Sequence, residues 1–124
     1  PKYAVIYAER VLSMGFVPII AHPERYICFH TEKWVAKELC DMGALLQVNA
    51  SSLTGRGGDE IKDYATELVL SRLADFVATD AHSAVSRPND IIKCAERFDE
   101  RITSEDIKRL VYKNPLKVLK DEIL

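Results

Sequence analysis

Short apolar runs alternate with amphipathic stretches along the whole chain, and each run ends in a polar residue. The first amphipathic segment, about Tyr3 to Met14, places Tyr3, Ile6, Tyr7, Val11 and Met14 on one helical face. Gly15 ends it, and Phe16 to Ala21 reads as a short buried strand delivering His22. Thr31 is positioned to cap a helix to about Met42, with Trp34, Val35, Leu39 and Met42 on its apolar side and Gly43 after it. A second strand, Ala44 to Asn49, is followed by the polar, glycine-rich stretch Ser51 to Gly58, which predicts a loop. A third helix spans about Asp59 to Leu73, with Ile61, Ala65, Leu68, Val69 and Arg72 along one stripe. Phe76 to Asp80 is the third strand. Pro88 opens a fourth helix, Thr103 with Asp106 caps a fifth, and Asn114-Pro115 starts the last.

Strand starts near 17, 44 and 75 are about 30 residues apart, the length of a repeated β-α unit. The strands are continuously apolar, as in parallel strands covered on both faces. The expected class is therefore α/β with a parallel sheet, and such sheets bind ligands at the C-terminal ends of their strands. His22, Asn49 and Asp80 all fall there. This shared position argues that His22 and Asp80 belong to one site despite their separation in sequence.

Composition narrows the class without naming a function. The 124 residues suit a single domain, 48% hydrophobic and 29% charged, with net charge -2. Lys and Arg are scattered rather than clustered, which disfavours a nucleic-acid-binding face. No apolar run reaches the roughly 18 residues of a membrane span, so membrane insertion is not expected and the cytoplasm is the default location. Cys28, Cys40 and Cys94 form no C-x-x-C pair and read as plain reduced thiols. The residues six positions after them are Trp34, Leu46 and Glu100, so the Cys-x5-Arg loop of thiol phosphatases is absent. Thr54 to Gly58 lacks the G-K-[ST] ending of a Walker loop, and Asn49-Ala50-Ser51 matches a glycosylation sequon without a secretion signal.

Two stretches carry the chemistry. His22-Pro23-Glu24-Arg25-Tyr26 and Asp80-Ala81-His82 with Arg87-Pro88 each join metal-ligand residue types to an arginine. Imidazole and carboxylate are the usual ligands of Zn, Mn or Fe without thiolate. On an extended segment Asp80 and His82 point to one side. Taken singly, Asp80 reads equally well as a cap and His82 as a hydrogen-bonded loop histidine. Arg25 and Arg87 present the planar donor fork that fits phosphate oxygens, the alternative for Arg25 being a salt bridge to Glu24 or Glu32. Metal ions with arginines equip a site for phosphate-ester hydrolysis. Asn49 is placed to support such a site or simply to turn the chain, and Tyr26 reads as a surface residue.

Residues 19–26 (IIAHPERY), 46–55 (LQVNASSLTG) and 78–83 (ATDAHS) with 86–88 (SRP) resemble the PHP-domain tyrosine-protein phosphatases of bacterial capsule and exopolysaccharide gene clusters. The resemblance runs over essentially the whole chain, in order. It implies a distorted (β/α)7 barrel with two or three divalent ions, manganese preferred and Fe or Zn as alternatives. It also implies metal ligation by His22, Asp80 and His82, and catalytic phosphate binding by Arg25 and Arg87. Hydroxide supplied by the metals would attack without a phospho-enzyme. The implied substrate is a phosphotyrosine protein, a bacterial tyrosine autokinase regulating polysaccharide export. The His-x-His motif of the family's first half has no counterpart, so residues 1–124 are expected to be one domain forming the C-terminal portion of the barrel. On that reading the chain alone is inactive or nearly so and pairs with the missing half or another copy. Rival readings are a phosphoesterase for a small metabolite such as histidinol phosphate, and a non-catalytic half-barrel fragment.

Overall fold

The computed structural model describes residues 2–85, 89 and 91–124. Arg87, and with it the expected helix start at Pro88, lies outside the described residues. The elements in order are α1 (Lys2–Ser13), β1 (Ile19–Ala21), a 3₁₀ turn (Pro23–Arg25), α2 (Ile27–Thr31), α3 (Trp34–Asp41), β2 (Leu45–Asn49), α4 (Ala50–Leu53), α5 (Asp59–Leu70), β3 (Ala74–Ala78), α6 (Ile91–Ala95), α7 (Ser104–Lys108), a π-helical turn (Arg109–Lys113) and α8 (Asn114–Leu119). The strands form one parallel sheet in the order β1-β2-β3, with Ala21 opposite Gln47 and Asn49 opposite Ala78. Parallel neighbours need crossover connections, which the helices between them supply. The α/β class and the parallel sheet are as the sequence predicts.

The core lies between the sheet and the helices. Val35, Ala36 and Leu39 of α3, Leu46 and Val48 of β2, and Ala65, Leu68 and Val69 of α5 are all buried in it. Each fully buried Leu or Val contributes about 1.5–3 kcal/mol relative to exposure. Ala74 pairs with Leu46 and Phe76 with Gln47, so Asp75 falls at a bulge. Its carboxylate accepts the Leu46 N–H at 2.9 Å, satisfying a donor that the interrupted ladder leaves open. Burial pushes the Asp75 carboxyl pKa upward.

Five features differ from expectation. The α1 face predicted to be apolar is exposed at Tyr3 (74%), Ile6, Tyr7 and Met14; Val5 and Ala8 face the core instead. β1 is an edge strand and half-exposed rather than buried, because only β2 pairs with it among the described residues. Thr31 ends α2 rather than capping α3, its hydroxyl being used within α2 on the Ile27 carbonyl at 3.2 Å. Ser51 to Leu53, expected in a loop, form part of α4, and β3 ends at Ala78, two residues before Asp80. The Thr103 cap is as expected, with both hydrogen bonds of a capping box to Asp106.

Cys28, Cys40 and Cys94 form no disulfide, and burial raises the Cys40 thiol to about 11. Among the described residues no helix is long and apolar enough to cross a membrane.

Candidate active site

The C-terminal ends of the three strands carry the polar residues, and two of them hold unusual backbone. His22 follows β1 with φ 41° and ψ 53°, and Asp80 lies two residues beyond β3 with φ 52°. Both are in the left-handed region, where a side chain meets its own backbone and non-glycine residues are uncommon. Such strain collects where a site needs a side chain aimed in one direction.

β1 ends because Pro23 cannot continue a ladder, and the chain turns at once into the 3₁₀ turn. The His22 N–H still donates to Gln47 O at 2.7 Å, which locks the turn to β2. Its ring stacks on Tyr26 with centroids 5.4 Å apart, and Nδ1 is buried without a hydrogen-bond partner. A buried nitrogen with no protein partner is costly unless a bound ion or ligand supplies one.

The turn also buries Glu24 completely. Its Oε1 accepts from the Asn49 backbone N–H at 3.1 Å and from the Ser52 hydroxyl at 2.7 Å, while Oε2 is buried and unpartnered. Since the Ser52 proton goes to Glu24, the Ser52 oxygen is left as an acceptor for Arg25. Arg25 Nε approaches it at a long 3.5 Å, and Nη2 donates to Ser51 Oγ at 3.1 Å. Among the described residues Arg25 pairs with no carboxylate, so the salt bridge to Glu24 or Glu32 is not formed. Its guanidinium is exposed and stands on hydroxyls.

Asn49 links this corner to the next strand. Gln47 Nε2 donates to its Oδ1 at 2.9 Å, which fixes the amide so that Nδ2 donates to Asp80 Oδ2 at 3.2 Å. His82 turns back on the same segment, its Nδ1 lying 2.6 Å from the Asp80 carbonyl. A carbonyl only accepts, so Nδ1 carries the proton and Nε2 keeps its lone pair, the tautomer a metal ligand requires. The third histidine serves the frame: His30 Nε2 donates to the Glu24 carbonyl at 2.6 Å.

The structure thus brings Arg25, Asn49 and Asp80 into one hydrogen-bonded network, with His22 and His82 on its two ends. It does not gather three or more His, Cys, Asp or Glu into a finished metal cluster among the described residues. The imidazole and carboxylate donors suit a divalent ion of the Mn, Fe or Zn type, and the unpartnered His22 Nδ1 is consistent with one. The sequence pattern does not single out the roles of Glu24, Ser51 and Ser52. A signal is nonetheless present, since a carboxylate in a strand-terminal turn beside Pro23 is costly to bury unless polar groups receive it. Beside the network, Arg25, Ser51, Arg56, Gly57 and Ile61 line an open cleft of about 410 Å³.

The family model for capsular polysaccharide synthesis, CpsB/CapC, matches residues 2–120. CapC of Staphylococcus aureus, a putative tyrosine-protein phosphatase by name, is 45% identical over 88 residues, covering 71% of this chain and 34% of that protein. The tyrosine-protein phosphatase CpsB of Streptococcus pneumoniae is 28% identical over 121 residues, covering 94% of this chain and 50% of that protein. Crystal structures of YwqE from Bacillus subtilis and CpsB from Streptococcus pneumoniae, described as unique metal-dependent tyrosine phosphatases, match with TM-score 0.79 and 28% identity. That match covers 98% of this chain and 49% of the matched chain. The chain therefore spans about a third to a half of the length of these relatives.

Proposed function

The chain belongs to the capsular polysaccharide synthesis CpsB/CapC family, and from that membership we propose that it supplies the C-terminal portion of a PHP-type, metal-dependent phosphatase acting on protein phosphotyrosine. His22, Asp80 and His82 are its contribution to the metal site, manganese being the preferred ion. Arg25 holds the substrate phosphate, with Arg87 as its second cation. The remaining ligands come from the rest of a longer polypeptide. The natural substrate on this reading is a tyrosine autokinase of the polysaccharide export machinery.

The observation that carries the reading is Asn49. Its backbone N–H bonds Glu24, which holds Ser52 under Arg25, and its amide bonds Asp80. Arg25 and Asp80 are thereby joined through one chain of hydrogen bonds, which supports assigning them to one site, as positioning for phosphoryl transfer requires. The metal supplies Lewis-acid polarisation and an activated water. The protein's own groups do the rest. Arg25, with its fork fixed by Ser51 and Ser52, binds and neutralises two phosphate oxygens. Asn49 holds the Asp80 carboxylate in one orientation. Protonation of Nδ1 against the Asp80 carbonyl keeps His82 Nε2 available.

The names of the relatives, tyrosine-protein phosphatases, favour a phosphorylated side chain on a protein over a small metabolite. The test is release of inorganic phosphate by the full-length polypeptide with manganese, from a phosphotyrosine peptide and from histidinol phosphate in parallel. The reading predicts turnover of the peptide. Faster turnover of histidinol phosphate would replace it with the metabolite reading.

A further inference from the structure

A metal-ligating histidine almost always donates its other ring N–H to a carbonyl, carboxylate or water, and that bond fixes how the ring faces. His82 has such an anchor, its Nδ1 lying 2.6 Å from the Asp80 carbonyl. His22 has none. Its Nδ1 is buried without a partner, and its ring makes no hydrogen bond among the described residues. The backbone of His22 is held on both sides: its N–H donates to Gln47 O at 2.7 Å, and its carbonyl accepts the Arg25 N–H at 3.0 Å. Those bonds place the Cα and leave the ring free to turn about its side-chain torsions.

What the ring meets is Tyr26. The two centroids are 5.4 Å apart and the planes are tilted by 32°, within the 4.5–7 Å range of favourable aromatic pairs. The 3₁₀ turn creates the pair, because the Tyr26 N–H donates to Pro23 O at 3.1 Å and brings residue 26 back beside residue 22. Tyr26 is itself held from behind. Its carbonyl accepts the Phe29 N–H at 2.9 Å, and its ring lies 6.3 Å from that of Phe29, a core residue 3% exposed. Three rings thus run in sequence from the core to the candidate metal ligand. Tyr26 is 47% exposed, so filling the core does not account for it.

We propose that Tyr26 is a positioning residue for His22, its ring doing by contact what the Asp80 carbonyl does for His82 by hydrogen bonding. Phe29 backs Tyr26 and carries the rigidity of the core outward. This inference rests on the reading of His22 as a metal ligand and adds to it the group that aims that ligand. The tyrosine hydroxyl has no part in it, since the contact is between rings.

The experiment titrates the full-length polypeptide with manganese alone and follows the free ion by electron paramagnetic resonance. Wild type, Tyr26→Phe and Tyr26→Leu are compared, each with His22 intact and with His22→Ala. Leucine keeps apolar bulk against Phe29 and offers His22 no ring. Tyr26→Leu is expected to weaken manganese binding about tenfold, and Tyr26→Phe to bind as wild type does. In the His22→Ala background Tyr26→Leu makes no further difference, because the ring it acts through is gone. Wild-type affinity in Tyr26→Leu overturns the inference, as does an equal loss in Tyr26→Phe. A Tyr26→Leu effect that persists undiminished without His22 overturns it too, since Tyr26 would then act on the fold at large. If His22→Ala binds manganese as well as wild type, the metal reading of His22 fails and takes the inference with it. Weakened binding in His22→Ala beside wild-type affinity in Tyr26→Leu sinks the positioning role alone.

Discussion

Asn49 Nδ2 donates to Asp80 Oδ2 at 3.2 Å, across the β2–β3 pair and between two strand ends. Asn49 is fully buried, and its amide orientation is dictated by Gln47. Asp80 stands just past its strand in left-handed backbone, where this hydrogen bond helps decide which way the carboxylate faces. Groups that orient a metal ligand typically change metal affinity or activity by about 10–100-fold when removed.

Asn49→Ala is therefore expected to lower manganese-dependent turnover by about that factor, with far-ultraviolet circular dichroism unchanged. Asn49→Asp has nearly the same shape but sets a second carboxylate against Asp80. It should be no better than alanine. Wild-type turnover in Asn49→Asp would show that the amide does not orient Asp80.

Glu24 is the residue on which the arginine corner rests. Glu24→Gln exchanges charge-assisted acceptance of two donors for a weaker arrangement, and about 1.5–3 kcal/mol of stability should be lost in urea unfolding. Ser52→Ala removes the buried donor to Glu24 Oε1 as well as the acceptor beneath Arg25 Nε. It should therefore cost about 1–3 kcal/mol of stability and also raise KM for a phosphate ester. A Ser52→Ala variant with wild-type KM would contradict the orienting role.

Asp106 gives a pH signature far from the site. The Thr103 hydroxyl hydrogen bond, helped by Arg72 and Arg109, holds its carboxyl below the usual carboxylate value. A depressed folded-state value means that its stabilisation is present above the unfolded value, about 3.9, and is lost as pH falls through the folded one. Asp106→Asn should cost about 1–2 kcal/mol at pH 7, as expected for a lost helix cap. The gap between wild type and variant should narrow below about pH 4. A gap independent of pH would show that the carboxylate's charge contributes nothing.

The strands, their parallel pairing and the placement of His22, Asn49 and Asp80 at their ends are legible in the sequence. They follow from apolar runs at a regular spacing, a signal that local packing cannot disguise. The capping box at Thr103 and Asp106 is equally local. The exposed face of α1 is not legible, because periodicity shows that a face is apolar without showing what covers it. Nor is the role of Glu24. A carboxylate beside an arginine in sequence suggests a salt bridge, whereas the 3₁₀ turn sends Glu24 inward and Arg25 outward. The hydroxyls that receive them lie more than 25 residues away, beyond any local pattern.

The central claim is that His22, Asp80 and His82 hold metal while Arg25 holds phosphate, and the two roles can be separated in a single assay. Hydrolysis of p-nitrophenyl phosphate by the full-length polypeptide is measured against manganese concentration for wild type, His82→Ala and Arg25→Ala. The account predicts that His82→Ala abolishes manganese-dependent turnover or demands far more manganese. Arg25→Ala should keep the wild-type manganese dependence and raise KM. Wild-type manganese-dependent turnover in His82→Ala would contradict the assignment of the metal site to this chain.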